Sequence, residues 1–169
     1  MVAENTDAEE LQRCLAVYRE QLAHGEIATA YYVLLRLMGQ LKAEFPAEYK
    51  TGSISPGYLD YTYFPFWNAS LRERRLRFGV VLNHSTLNLE LWLMAQNANV
   101  QREYWEVLRN SPWNEGVAVM PKYHVLAIPL WEGVDFTVEA QMRIVVRRLA
   151  VKYASEVQDY LAQLEQQEG

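Results

Sequence analysis

The sequence predicts a single α+β domain, and three patterns carry that prediction. Apolar residues recur at helical spacing over residues 6–45 and again over 136–165. Between them lies a predicted sheet core, residues 58–129, in which two alternating runs flank the polar stretch 83–86, as in a β-hairpin. The predicted order is an N-terminal helical hairpin, an antiparallel three-stranded meander, a crossover helix, a fourth strand and a long C-terminal helix. With 169 residues, the chain suits one domain in which helices pack on a sheet.

The first 45 residues predict two antiparallel helices joined by a short link. Thr6 and Glu9 form a capping-box pattern for the first helix. Gly25 stands where a left-handed residue would end that helix, and Pro46 stops the second. Each helix has an apolar stripe that we expect to be buried, with Cys14 as a small hydrophobic member. The stripes comprise Leu11, Cys14, Leu15, Tyr18 and Leu22 on the first helix, and Ile27, Ala30, Tyr31, Leu34, Met38, Leu41 and Phe45 on the second.

The next segment predicts a loop over residues 49–57 and then a first strand over 58–64, which is rich in aromatic residues and threonine. Pro65 is predicted to end this strand and could mark a sheet edge. Asn68 or Ser70 could cap a short helical turn that runs through Arg75.

The hairpin over residues 76–95 has two distinct faces, because side chains alternate along a strand. One face is apolar and is expected to be covered by helices: Leu76, Phe78, Val80, Leu82, Leu87, Leu89, Leu91 and Leu93. The other is mixed: Arg77, Gly79, Val81, Asn83, Asn88, Glu90, Trp92 and Met94. Pairing Asn83 with Asn88 keeps both faces in register and sets Gly79 opposite Trp92, where a glycine would leave room for the indole.

The C-terminal part predicts a helix over residues 100–108 and a fourth strand over 123–128, which Pro129 is predicted to end. A strand–helix–strand step usually places such strands parallel, with a right-handed crossover. Asp135 or Thr137 could cap the long helix over 136–165. The basic face of this helix is expected to be its solvated side. That face consists of Arg143, Arg147, Arg148 and Lys152.

Composition excludes several classes of protein. The net charge of −5 argues against nucleic acid as a partner, since that binding depends on Lys and Arg. No apolar run is long enough to span a membrane, and the polar, acidic N-terminus does not have the pattern of a signal or transit peptide. Cys14 is the single cysteine, so no disulfide can form within the chain. We therefore expect a cytoplasmic protein.

Known cofactor motifs are missing from the sequence. It contains no P-loop, dinucleotide-binding glycine loop or Gly-x-Ser-x-Gly pattern, so we expect no cofactor. His24, His84 and His124 lie on different predicted elements and, with one cysteine, make a poor zinc set. His84 is most simply a polar turn residue. The run from Arg72 to Arg77 is the densest positive cluster, and indicates either an anion site beside the sheet or a solvated loop paired with acids.

The mixed face of the hairpin is the candidate binding site. It would bring together Asp60, Arg77, Glu90 and Trp92, with Tyr61 or Tyr63 at the rim. Carboxylates in the middle of strands need a partner or solvent, and Arg77 could pair with them. Alternatively, Asp60 and Glu90 could hold a divalent metal or act as an acid–base pair. The simpler interpretation is an ordinary outer sheet face, half covered by a helix and half in water.

Three stretches carry a resemblance to a known family: GSISPGYLDYTYFPF, LRFGVVLNHSTLNLELWLMAQNANVQREYWEVL and SPW, in that order after a helical hairpin. In these stretches the chain resembles a bacterial family known only as a domain of unknown function, which implies a small cytoplasmic protein. The predicted topology is also similar to the restriction-endonuclease-like core. The Glu-x-Lys pattern of those nucleases would here read Glu90-Leu91-Trp92, with tryptophan in the lysine place, and the second strand has no acid. The likeness therefore implies a degenerate member or one repurposed for binding.

These observations lead to three hypotheses. The first is a non-enzymatic binding or interaction module whose partner, a protein or a small ligand, meets the mixed face. The second is a metal-dependent, nuclease-like enzyme using Asp60 and Glu90. The third is a structural homodimer built on the tyrosine-rich first strand as a sheet edge.

Overall fold

The computed structural model describes residues 7–167 and confirms the α+β class. The chain divides after Leu37 into two compact units, whereas a single domain over 1–169 stays a prediction. The first unit contains α1 (Ala8–His24) and most of α2 (Glu26–Ala43). The second contains the end of α2 and an antiparallel sheet with its helices. Among the described residues, no helix has the length and apolar character needed to cross a membrane.

Helix α1 begins after Asp7, whose side chain accepts the N–H of Glu10 at 2.8 Å. Thr6, the predicted cap, lies outside the described residues. Gly25 ends the helix in the left-handed conformation, at φ 81°, as predicted.

The predicted burial of the α1 stripe is wrong. Within the described helix no residue is buried: Leu15 is 58% exposed, Tyr18 is 61% exposed, and Cys14 is exposed too. Helical periodicity determines which residues share a face, but it does not determine whether anything packs against that face. In α2 the prediction is right for Leu34, Met38 and Leu41, which are buried, and wrong for Ile27, which is exposed.

The second unit is built on a five-stranded sheet in which every strand is antiparallel to its neighbours, in the order β1-β2-β3-β4-β5. The strands are β1 (Lys50–Thr51), β2 (Tyr61–Trp67), β3 (Leu76–Asn83), β4 (Asn88–Ala95) and β5 (Leu126–Trp131). β1 was not predicted, because its two residues are too few to show any alternation.

The β3–β4 hairpin has the predicted register, with Asn83 opposite Asn88 and Gly79 opposite Trp92. Its apolar face is buried except for Leu87, which belongs to the turn, has φ 56° and is 40% exposed. The role assigned to Gly79 needs correction. A Cβ at this position would lie 2.6 Å from the Cε of Met94, so the glycine leaves room for methionine and not for the indole.

β2 does not span the predicted residues. It begins at Tyr61 rather than Tyr58, and Pro65 lies inside it, opposite Gly79. The carbonyl of Pro65 accepts the N–H of Gly52 at 2.8 Å, so it points away from β3 and toward the side of β1. The nitrogen of Pro65, which carries no hydrogen, faces that same side, where β1 has only two residues. The β3 ladder therefore loses no hydrogen bond. β2 is also an inner strand, so the premise of an edge-to-edge homodimer on it is wrong.

β5 runs antiparallel to β4, so the predicted parallel crossover is wrong. Leu126 at the start of β5 lies opposite Leu93 near the end of β4. The connection from β4 to β5, through α4 (Ala98–Leu108) and the loop after it, therefore begins and ends at the same end of the sheet. Pro129, predicted to end the strand, is accommodated inside it because β5 is an edge strand.

Short polar contacts anchor the helices of this unit. Asn68 caps the short helix α3 (Ala69–Glu73), as predicted, and Asn97 caps α4. The long helix α5 (Glu139–Gln167) contacts β5 and buries Met142, Val146, Ala150, Ala154, Val157 and Leu161. Two arginines of its predicted solvated face, Arg143 and Arg147, instead form ion pairs with Glu44.

Candidate functional site

A groove of about 390 Å³ opens on the mixed face of the sheet. We call it the aromatic groove. It contains five of the six predicted site residues, and Glu90 lies outside its lining. The lining residues are Ser55, Gly57, Tyr58, Asp60, Tyr61, Tyr63, Arg77, Trp92, Met94, Ala95 and Tyr123.

The floor of the aromatic groove is a small apolar core. Trp92 is only 4% exposed and forms a buried cluster with Val81 and Met94, against which Tyr61 and Tyr63 pack. The Tyr61 ring meets the indole edge-on, with 4.7 Å between centroids. This geometry is favourable for aromatic pairs. Side chains rather than a helix thus cover this part of the face, and Trp92 is a floor rather than a free contact surface.

Trp92 is held from two further directions. Its Nε1 donates to Oε2 of Glu90 at 2.7 Å, so Glu90 orients the indole. The ring of His124 lies 4.4 Å from the indole centroid, and burial lowers the pKa of His124 to about 4. The imidazole is therefore neutral at pH 7. Sequence reasoning missed His124 because neither its spacing nor its neighbours show that it would meet Trp92.

The rim of the groove is a tight turn just before β2. Gly57 has φ 72°, and a Cβ there would lie 2.1 Å from the carbonyl oxygen of Tyr61, so only glycine fits. Oδ1 of Asp60 accepts the N–H groups of Tyr58, at 2.8 Å, and Tyr61, at 2.7 Å. These hydrogen bonds lower the pKa of Asp60. Asp60 is therefore a turn residue and not, as predicted, a mid-strand carboxylate.

A buried polar network fastens this rim to the sheet. The hydroxyl of Thr62, which is fully buried, donates to the carbonyl of Pro56 at 2.7 Å and also bonds Nε2 of His84 at 2.7 Å. A hydroxyl has one hydrogen, so Nε2 of His84 must donate the second bond. The backbone N–H of His84 donates to the carbonyl of Asp60 at 2.9 Å. Burial lowers the pKa of His84, and Asp60 partly opposes that shift. His84, predicted as a polar turn residue, therefore also holds the turn before β2 against the sheet.

The predicted ion pair between Arg77 and Glu90 is wrong. Arg77 lies opposite Met94, four residues along β4 from Glu90. That offset corresponds to roughly 13 Å along the strand, too far for an ion pair. Within residues 7–167, no ion pair joins the two side chains, although they share a face.

A family model described as Domain of unknown function (DUF7000) matches residues 11–161. The chain belongs to the DUF7000 family. No curated protein matches the sequence significantly. No solved structure does so either.

The DUF7000 chain does not bring Asp60 and Glu90 together as a metal pair. Tyr63, three residues after Asp60, pairs with Val81, which pairs with Glu90 on the next strand. The Cα atoms of Asp60 and Glu90 are therefore separated by two strand spacings and three residues, on the order of 14 Å. Two ligands of one cation must lie within about 5 Å of each other. Among residues 7–167, no three His, Cys, Asp or Glu side chains are grouped to hold a metal.

Proposed function

We propose that this DUF7000 protein is a non-enzymatic binding module that accepts a polypeptide segment of a partner in the aromatic groove. The observation that carries the proposal is the exposure of two tyrosines at the groove, Tyr58 at 95% and Tyr123 at 52%. Leu59, beside Tyr58, is 60% exposed as well. Large apolar groups that remain in water next to a preformed groove are typical of interaction sites.

The chemistry of the groove supports a polypeptide partner. Tyrosine offers a large contact area with few rotatable bonds, so ordering it on binding costs little entropy. Tyr, Trp and Arg are the residues that most often dominate the energy of protein interfaces. Asp60 and Arg77 place opposite charges on the lining, which would favour one orientation of the bound chain.

The rigidity of the rim supports the same proposal. The turn that carries Tyr58 is held by hydrogen bonds to Asp60 and by the buried Thr62 network. A ring presented from a fixed turn loses less freedom on binding than one on a loose loop.

A selection experiment tests the proposal. A phage-displayed random peptide library would be selected against the immobilised full chain, and the enriched peptides measured by fluorescence polarisation. We expect enriched peptides to carry an aromatic or long aliphatic anchor. The double variant Tyr58→Ala/Tyr123→Ala should bind about thirtyfold more weakly, since two hot-spot rings are worth at least ~2 kcal/mol.

The matched control is Tyr32→Ala, which removes another exposed ring, 68% exposed on α2, and should leave the affinity unchanged. Enrichment of no peptide, or equal binding by the double variant and the wild type, would contradict the proposal. Circular dichroism of each variant would verify that the fold is intact.

The metal-dependent enzyme makes the opposite prediction in a simple assay. Millimolar Mg²⁺ or Mn²⁺ would raise the melting temperature, and Glu90→Ala would abolish the rise. The binding module predicts no such shift, because Glu90 instead accepts the indole hydrogen of Trp92.

A further inference from the structure

A second cavity, of about 330 Å³, lies where α3 joins β3. We call it the arginine pocket. It is lined by Trp67, Arg72, Arg75, Leu76, Arg77 and Gln96. Three arginines therefore line one concave site, together with a tryptophan and a glutamine.

The arginines of this run differ in their partners. Arg74 points elsewhere and forms a two-point ion pair with Glu165, at 2.8 and 2.7 Å. Arg75 has one long contact of 3.4 Å with Glu103, between two exposed side chains. Such a contact contributes little. Neither Arg72 nor Arg77 pairs with a carboxylate among residues 7–167. Three arginines thus line the cavity, and the one ion pair that any of them forms with a described carboxylate is weak.

The backbone fixes two of these arginines in place. Arg77 projects from β3, an inner strand of the sheet. Arg75 adopts φ 58°, which is uncommon for a residue other than glycine. Its carbonyl accepts the N–H of Gln96 at 3.0 Å, and its own N–H donates to the carbonyl of Arg72 at 3.0 Å. The turn that carries Arg75 is therefore tied to the end of β4.

We propose that the arginine pocket binds a small phosphate monoester whose flat body lies against Trp67. Guanidinium forks match phosphate oxygens in two-point geometry, and a phosphate monoester carries close to two negative charges at pH 7. Three arginines suit that charge better than the single charge of a carboxylate. The indole offers a flat apolar wall for a ring attached to the phosphate. This chemistry differs from that of the aromatic groove, although Arg77 lines both sites.

Isothermal titration with phenyl phosphate tests the proposal, with inorganic phosphate and phenol as partial ligands. We expect phenyl phosphate to bind at millimolar concentration or better, more tightly than either partial ligand, and more weakly as NaCl rises. The double variant Arg72→Gln/Arg77→Gln should bind phenyl phosphate at least about tenfold more weakly. The loss of one charge-assisted hydrogen bond corresponds to about a tenfold change in affinity. The control Arg148→Gln, an exposed arginine on α5, should bind as the wild type does.

No binding of phenyl phosphate by a folded wild-type protein would overturn the proposal, and so would equal binding by the double variant. Equal affinity for phenyl phosphate and inorganic phosphate would overturn the role of Trp67. The single variant Arg72→Gln separates the two sites, because Arg72 lines only the arginine pocket. It should bind phenyl phosphate more weakly than the wild type and keep the affinity for selected peptides. Failure of peptide selection alone would leave this result untouched.

Discussion

Replacing Thr62 by valine tests how the rim of the aromatic groove is held. The substitution nearly preserves the shape of the side chain and replaces the hydroxyl by a methyl group. That hydroxyl donates to the carbonyl of Pro56 and accepts the Nε2 hydrogen of His84, both at 2.7 Å. Thr62 is fully buried, so water cannot readily take the place of the lost oxygen.

The expected loss follows from the number of bonds. Each of the two hydrogen bonds contributes about 0.5–1.5 kcal/mol, or about 1–3 kcal/mol together. The added methyl group of valine regains about 0.8 kcal/mol. The net loss of unfolding free energy should be about 0.2–2.2 kcal/mol, which lowers the melting temperature of a chain this size by up to roughly 9 °C.

Urea denaturation followed by tryptophan fluorescence measures this loss, and amide hydrogen exchange locates it. Exchange should accelerate at Tyr58 and Tyr61, whose N–H groups bond Asp60 in the same turn. Thr29→Val is the control, since Thr29 is exposed on a helix and the two residues have similar helix propensity. A variant at Thr62 as stable as the wild type, with unchanged exchange at the turn, would refute the reasoning.

Three further predictions concern stability. The pKa of His124 is about 4 in the folded chain and near 6.5 unfolded, so stability should fall as pH drops from 6.5 to 4. The free energy of unfolding should fall by about 2 kcal/mol over this range, a value reduced to allow for partial solvent access. His124→Phe should flatten the plot of urea midpoint against pH between these two pH values. Arg74→Gln should cost about 0.5–1 kcal/mol, because Glu165 is half exposed; Glu165→Gln should cost a similar amount, and the two should not add. Asn114→Ala should lower the melting temperature by several degrees, because the buried amide of Asn114 donates to the carbonyls of Leu108 and Val125, both at 3.1 Å.

The sequence was most informative where two constraints agreed. In the β3–β4 hairpin, the alternation and the polar turn both required Asn83 to lie opposite Asn88, and the structure confirms that register. One-residue errors would have moved the leucines to the wrong face. Strands for which only one sequence pattern was informative were predicted less well. The prediction that Pro65 and Pro129 end their strands is wrong, because both lie inside strands at positions where the proline nitrogen does not face a full ladder.

Other features depend on contacts that local patterns do not encode. The α1 stripe has helical spacing and is nevertheless exposed. Arg77 and Glu90 share a face, but only the register shows that four residues separate them along the strand. The candidate groove also needs Tyr123, which comes from a loop distant in sequence, and His124, which lies on the indole of Trp92. No spacing rule connects these residues to β4.

The most direct test of the central claim is an NMR titration of the full chain, with ¹³C-labelled tyrosine, by a peptide from the phage selection. A partner seated in the aromatic groove should shift the ring resonances of Tyr58, Tyr61, Tyr63 and Tyr123 together, and leave that of Tyr32 unchanged. Shifts confined to tyrosines outside the groove would contradict the account.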